Sequence, residues 1–387
     1  MNDRWNKIKN IVSGLRDLTT IGIIDVVSNG IAAIFWFYMA AVLSVEQYGQ
    51  ISYFIAVAGI ASTVSLLGSE NTLTVFTAKN VKIQSTIYLI TIISGSIASI
   101  VVFFILYKLE VSLLVIGYVI FALAISEILG RKLYMTYSKY VITHKILTVG
   151  LAVGLYYLIG TPGVIAGIAL SSFPYAIRLY KGFKESKVDF SLLKSRFGFM
   201  MTNYMMVLSS AFSGSFDKLI IAPLLGFAIL GNYQLGLQFL SVLLILPSIV
   251  YKYILPQDAS GNANTKLKKL TILSSVGLAV LGIFLSPLLI PVAFPKFTQA
   301  VGVIQIISVS IIPTSINLIY TSRFLANENN RIVLYGSIMY EVIQIVTIII
   351  LGKIFGVNGI AIALVISVSS QTIFFISANR FIKAKMK

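Results

Sequence analysis

A handful of ionisable residues stand inside long apolar stretches of this chain: Asp25, Glu70, Glu127, Asp217, Lys218 and Glu341. A charge in hydrocarbon costs roughly 2.5 to 3.5 kcal/mol on insertion scales, so each needs a partner, a wet cavity or a cargo. A carboxylate so placed takes up H⁺ or Na⁺, and a lysine so placed holds an anion. Other chemistry is excluded by what is missing. With no Cys there is no thiolate metal centre and no Cys nucleophile, and a single imidazole, His144, builds neither a two-His metal motif nor a haem pair. No G-x-x-x-x-G-K-[ST] loop is present to hold a nucleotide. No catalytic residue, metal or cofactor is expected.

Each candidate has two readings. Asp25 has Ser28 and Asn29 on neighbouring faces, an oxygen-rich patch for a cation or proton, but pairing with Arg16 or Lys79 near the interface accounts for it equally. Glu70 follows Gly68 beside Asn71, where local water access competes with ion coupling. Glu341, near Tyr340 and Gln344, is either part of a polar seam between helices or a transport carboxylate. Asp217 and Lys218 are adjacent, about 100° apart around a helix, and are expected to face other spans rather than each other. Arg131, Lys132 and Arg323 sit at the ends of apolar runs, where they either snorkel to headgroups or flank a vestibule that attracts phosphate.

What must position these residues is a set of membrane-spanning helices. Of 387 residues, 57% are apolar and 11% charged, with a mean hydropathy of +0.92, beyond the range of a water-soluble domain. A span needs about 20 apolar residues, because hydrocarbon about 30 Å thick offers no water to backbone amides. Runs 26–45, 47–69, 83–107, 270–295, 297–322 and 354–379 carry no charge at all, and two longer runs are split at Thr161-Pro162-Gly163 and between Gly226 and Gly231. The pattern predicts an all-α integral membrane protein with twelve transmembrane helices, near 20–43, 49–77, 84–107, 111–137, 141–159, 163–180, 197–225, 228–254, 268–293, 298–325, 331–352 and 357–379.

The net charge of +17 would suggest nucleic acid in a soluble protein. Here every Lys and Arg except Lys108, Lys218, Lys296 and Lys353 falls in the termini or in alternate loops. Cations are retained on the cytoplasmic side during insertion, so both termini are expected there and no nucleic-acid partner is needed. Residues 1–18 mix charge with Trp5, Ile8, Ile11, Leu15 and Leu18, which suits an interfacial helix rather than a signal peptide. The expected organisation is therefore that helix, a six-helix bundle over 19–180, a basic cytoplasmic linker over 181–196, a second six-helix bundle over 197–380 and a basic tail over 381–387.

Two motifs recur half a chain apart. Leu43-Ser-Val-Glu-Gln-Tyr48-Gly49-Gln50 matches Leu225-Gly-Phe-Ala-Ile-Leu230-Gly231-Asn232, and Gly160-Thr-Pro-Gly163 matches Gly356-Val-Asn-Gly359. Because both halves enter from the cytoplasm, these would be parallel repeats. All nine prolines occur from Pro162 onward, and Pro223, Pro247, Pro287 and Pro313 should kink spans of the second half. Gly150-x-x-x-Gly154 and Gly163-x-x-x-Gly167 should permit close helix contact.

These motifs, with Ala-Val-Leu43-Ser-x-Glu46-Gln-Tyr48-Gly49, Asp217-Lys218-Leu-Ile-Ile, Leu230-Gly231-Asn-Tyr233 and Arg323-Phe-Leu-Ala-x-x-x-Asn330-Arg331 in order, resemble the polysaccharide-exporter family. This is the Wzx-type O-antigen and lipid-linked oligosaccharide flippase branch of the MOP superfamily, which also holds MATE exporters and the lipid II flippase MurJ. The resemblance implies two six-helix bundles related by a pseudo-two-fold axis. It further implies alternating access, with a polyprenyl-pyrophosphate-linked oligosaccharide carried outward across the cell membrane for surface polysaccharide synthesis. Lys218, Arg131, Lys132 and Arg323 would hold the pyrophosphate, while Asp25, Glu341, Asp217 and Glu70 are the residues to couple H⁺ or Na⁺. Membrane lipids, a glycan polymerase and glycosyltransferases are the implied partners of a monomer. A MATE-like cation-coupled antiporter shares the fold and is the alternative. The chain departs from the family in span 2, where Val75 and Phe76 precede its first cation, Lys79, which leaves Lys218 as the cation deepest in a span.

Overall fold

The computed structural model describes residues 24, 26–262 and 264–385, side chains at 209–213, 383 and 385 excepted, and every described element is helical. The helix expected over 1–18, and Asp25, lie outside the described residues. Helix α1 (Val26–Val42) is followed by α2 (Val45–Leu66). Ser44 closes a capping box between them: the Gln47 N–H donates to Ser44 Oγ at 3.2 Å, and the Ser44 N–H to Gln47 Oε1 at 3.0 Å. There follow α3 (Ser69–Ala78), α4 (Gln84–Leu106), α5 (Leu109–Gly130), α6 (Tyr134–Ile159), α7 (Thr161–Leu170), a 3₁₀ turn, α8 (Ala176–Glu185) and α9 (Phe190–Lys194). The second half holds α10 (Phe197–Leu225), α11 (Phe227–Leu243), α12 (Ile245–Ala259), α13 (Thr265–Ala293), α14 (Ala300–Ser308), α15 (Ile311–Ala326) and α16 (Asn330–Lys385).

The breaks have local causes. Leu67 and Gly68 take left-handed φ values of 52° and 74°, which parts α2 from α3. Helices α11 and α12 bend by 48°, and α14 and α15 by 41°. In each case a proline three residues into the second helix, Pro247 or Pro313, lacks the N–H that would bond the carbonyl four residues back. Those two expected kinks are present, whereas α10 and α13 run on through Pro223 and Pro287. Gly356 (φ 58°, ψ −135°) interrupts α16.

By length and composition, seven described helices can each cross a membrane, or nine if each bent pair is one span. The expected twelve is not reached by that measure, for identifiable reasons. The spans expected at 331–352 and 357–379 fall in one continuous stretch, Asn330–Ile382, parted by the non-helical backbone of Gly356, while α1 and Phe197–Leu208 in α10 are apolar but short as described.

The chain forms two compact units: the described part of Met1–Phe35 with Phe54–Ser215, and Trp36–Tyr53 with the described part of Phe216–Lys387. In unit 1, Leu66, Leu73, Ile87, Tyr88, Leu123 and Leu179 make the core. There Gly163 and Gly167 of α7 press onto the backbone of α6 at Leu155 and Ala152, with no room for a side chain. Gly150 and Gly154, expected at such a contact, face open space instead, because the docking runs through Ala152 and Leu155. His144 is stacked on Phe121 at 3.8 Å and bonded to Ser172 at 3.0 Å, a packed core imidazole.

In unit 2, Ile221, Leu230, Tyr233, Val303, Ile307 and Ile360 are central. Gly49 near the start of α2 and Gly231 near the start of α11, from the two motifs that match in sequence, meet backbone to backbone: a Cβ on Gly49 would overlap Phe227 O, and one on Gly231 would overlap Val45 O. Lys296 Nζ donates to the carbonyls of Val42 (2.9 Å) and Leu43 (3.3 Å), capping the end of α1. Gly359 presses on Leu351 O as Gly163 does on Leu155 O.

Candidate functional site

Two neighbouring charges of α10 in unit 2 form a pair. Lys218 of α10 curls back so that Nζ lies 3.2 Å from Asp217 Oδ1, and the same oxygen accepts the Lys218 backbone N–H at 2.8 Å. The side chains are 14% and 11% exposed. The expectation that these neighbours ignore each other is thereby corrected. An angle of about 100° separates their Cβ atoms, but a four-carbon stem and a carboxylate folded onto the next amide span it. Tyr233 of α11 and Tyr340 of α16 lie within electrostatic reach of Asp217, with Gln344 beside both, and Glu341 is in reach of Tyr340. Asp217, Lys218 and Glu341 thus belong to one polar cluster set in an apolar core.

Arg131 and Lys132 come together elsewhere. They follow the last turn of α5 and line a cavity of about 790 Å³ that is complete within unit 1, with Lys82 and Gln84 on one side and Glu185 on another. Behind Arg131 lies a network that sequence reading only half identified. Glu127, fully buried, accepts from Arg178 Nε at 2.8 Å and from its terminal nitrogen at 3.0 Å, and from Arg131 Nε at 2.8 Å. Arg131 also pairs with Glu185. The i,i+4 spacing of Glu127 and Arg131 was a usable signal for half of it. Arg178, about fifty positions on, left no signal.

The remaining candidates stand apart. Arg323 is half-buried in the last turn of α15, where a cation complements the helix dipole. Glu70 is half-buried in the first turn of α3, which favours a carboxylate for the same reason. A second network went unforeseen. Asp258, at the end of α12, accepts from Lys268 Nζ at 2.6 and 2.7 Å and from Ser322 Oγ at 2.6 Å, joining α12, α13 and α15. Among the described residues no group of three His, Asp or Glu is placed to hold a metal ion.

No protein-family profile matches the chain, and no curated protein matches it by sequence. Solved structures do match it in shape. The lipid II flippase MurJ, in an inward closed conformation, superposes with a TM-score of 0.74 over 93% of this chain and 87% of its own, at 14% identity. A multidrug resistance MATE family transporter of the MOP superfamily matches in its inward-facing conformation with a TM-score of 0.72, covering 92% of this chain and 94% of its own at 13% identity. An outward-facing MATE structure scores 0.59 over 94% of each chain at 14% identity. The fold is theirs. A multi-pass helical membrane protein with the MATE and MurJ fold is what the geometry describes, and at such identities any function must be argued from this chain's own residues.

Proposed function

We propose that this protein is a flippase of the MOP type, with twelve spans and both termini in the cytoplasm. It carries a polyprenyl-pyrophosphate-linked oligosaccharide from the cytoplasmic to the external leaflet by alternating access. The observation that carries this reading is the Asp217–Lys218 pair: an ammonium inside an apolar helix with a carboxylate oxygen 3.2 Å away. A deep lysine repels an organic cation and suits an anionic headgroup. As the pyrophosphate docks, its oxygens take the place of the Asp217 carboxylate on Lys218, and the released carboxylate takes up H⁺ or Na⁺, with Glu341 close by. Arg131, Lys132 and Arg323 act earlier, at the cytoplasmic entrance, and Glu70 and Asp25 are secondary ion-coupling positions. About two negative charges leaving a negative interior gain roughly 4.6 kcal/mol at 100 mV, so the ion sets direction and timing rather than supplying all of the work.

The test is a proteoliposome assay of lipid-linked glycan movement, paired with leaflet distribution in cells lacking the gene. Accumulation on the inner leaflet is expected, and an unchanged distribution would reject the reading. The MATE-like alternative draws on the acidic side of the same cluster, and cation-driven efflux of organic cations without glycolipid movement would favour it.

A further inference from the structure

Three helices of unit 1 leave a trough between them. Ile92 and Ser96 of α4, Val119 and Ile120 of α5, and Leu179 and Phe183 of α8 line a cavity of about 290 Å³, apolar apart from the hydroxyls of Ser96 and Tyr180. The trough has a local cause. Gly95, Ser96 and Ala176 are small, and Gly95 lets α4 and α5 close until a Cβ there would stand 3.2 Å from Val119 Cγ2. Along α8 the trough runs from Ala176 to Phe183, about 10 Å at 1.5 Å per residue.

One end of it is positively charged. Lys184, next to Phe183, lies with its ammonium 4.4 Å above the ring of Tyr180, an exposed residue of the rim. The other charges of α8 are already engaged or point the same way. Arg178 is taken up by Glu127 and Glu185 by Arg131, while Lys181 and Lys184, both exposed, make no ion pair among the described residues. A lysine stem laid on an aromatic ring at the edge of apolar surface is placed to meet a lipid headgroup.

The surroundings decide what fills the trough. Helices α4 and α5 are each long and apolar enough to cross a membrane, and Ile93 and Ile97 are exposed beside the trough, so it opens to hydrocarbon. Left empty, its wall would forfeit dispersion contacts. A neighbouring helix, about 10–12 Å across, is too wide to enter, whereas a single hydrocarbon chain fits. The cations at the end select the headgroup.

We infer that this trough holds one acyl chain of an anionic phospholipid, with the headgroup phosphate on Lys184 and Lys181 beside it. Every contact lies within α4, α5 and α8, so the site does not depend on the Asp217–Lys218 pair and stands whether or not the transport reading holds.

The experiment uses the purified full-length protein in nanodiscs containing phosphatidylglycerol or phosphatidylcholine with the same photoreactive diazirine in an acyl chain, and the labelled residues are read by peptide mass spectrometry. Phosphatidylglycerol is expected to label the trough at least about fivefold more than phosphatidylcholine, the worth of one cation near an anionic headgroup. Val280 and Leu281, exposed in the middle of α13, should take both equally. Lys184→Gln should cut the preference at the trough about fivefold. Ser96→Phe, which fills the trough with a ring, should remove labelling there by either lipid and leave α13 unchanged. Lys184 is exposed and Ser96 half-buried, so both variants are expected to fold, which their unfolding temperatures check; should Ser96→Phe not fold, Ala176→Leu fills the trough from α8. Equal labelling by the two lipids, a preference indifferent to Lys184→Gln, or trough labelling that survives filling would each overturn the assignment. So would cross-links between copies of the chain in place of lipid adducts, which would put a second copy on this face.

Discussion

Glu127 in unit 1, fully buried, and Asp217 in unit 2, with its side chain 11% exposed, are both carboxylates set among apolar helices, and they are held in opposite ways. Glu127 is gripped by two arginines, Arg131 at the end of its own helix and Arg178 of α8, with Arg178 taking both of its oxygens. Asp217 meets its own chain neighbour through one 3.2 Å contact and one backbone amide, with the hydroxyls of Tyr233 and Tyr340 in reach, and among the described residues no second charge clamps it from another helix. A charge clamped by several groups from separate elements cannot change partner without unpacking the unit. A charge held by the next residue can exchange that partner for a ligand at little structural cost. The number and origin of the bonds, rather than burial, separates a structural ion from one available for transport.

The largest effect should come from Glu127. Replacing it by Ala strands two partly buried guanidinium groups, and losing one partner of a buried pair typically costs about 3 to 5 kcal/mol. Glu127→Ala is therefore expected to lower the unfolding midpoint sharply in detergent, and co-substitution of Arg178 should return part of the loss. A Glu127→Ala protein as stable as the parent would break the contrast at its structural end. Asp258 is the intermediate case, with Lys268 and Ser322 as partners from two other helices. Hydrogen bonds to a charged group contribute about 1.5 to 3 kcal/mol, so Asp258→Ala should cost that order in the same assay. Asn264→Ala, which removes only the cap of α13, should cost about 1 kcal/mol. If its cost matched that of Asp258→Ala, the ladder of bond number would fail.

How much of this the sequence revealed depends on how local each cause is. The kinks coincide with Pro247 and Pro313, three residues into a helix, whereas Pro223 and Pro287 lie inside continuous helices, and the helix joints coincide with Gly160 and Gly356. At Gly356 a single non-helical residue parts the two stretches expected as separate spans. The unit 1 cavity gathers Lys82, Gln84, Arg131, Lys132 and Glu185 from three stretches of chain, and no spacing rule connects them. The Asp217–Lys218 pair was misread for another reason. A helical wheel fixes Cβ directions and says nothing of where a flexible lysine stem ends.

The smallest change in stability, with the largest change in transport, is expected at that pair. Asp217→Asn combined with Lys218→Met removes both charges together, so neither is left unpaired, and replacing a buried pair by neutral groups of similar volume is often close to neutral. The double variant should unfold within about 1 kcal/mol of the parent, and it should lose glycolipid movement in proteoliposomes by at least about tenfold, the equivalent of roughly 1.4 kcal/mol of barrier. Lys218→Ala alone should abolish movement with insertion intact. Asp217→Asn alone should keep some movement but lose its response to an imposed H⁺ or Na⁺ gradient, because the group that trades partners is gone. If the double variant unfolds as badly as Glu127→Ala, the pair is a lock like the other and Lys218 has no claim on the cargo. If it unfolds normally and still flips at the parental rate, the pair is only a tolerated charge, and the anion must be held elsewhere.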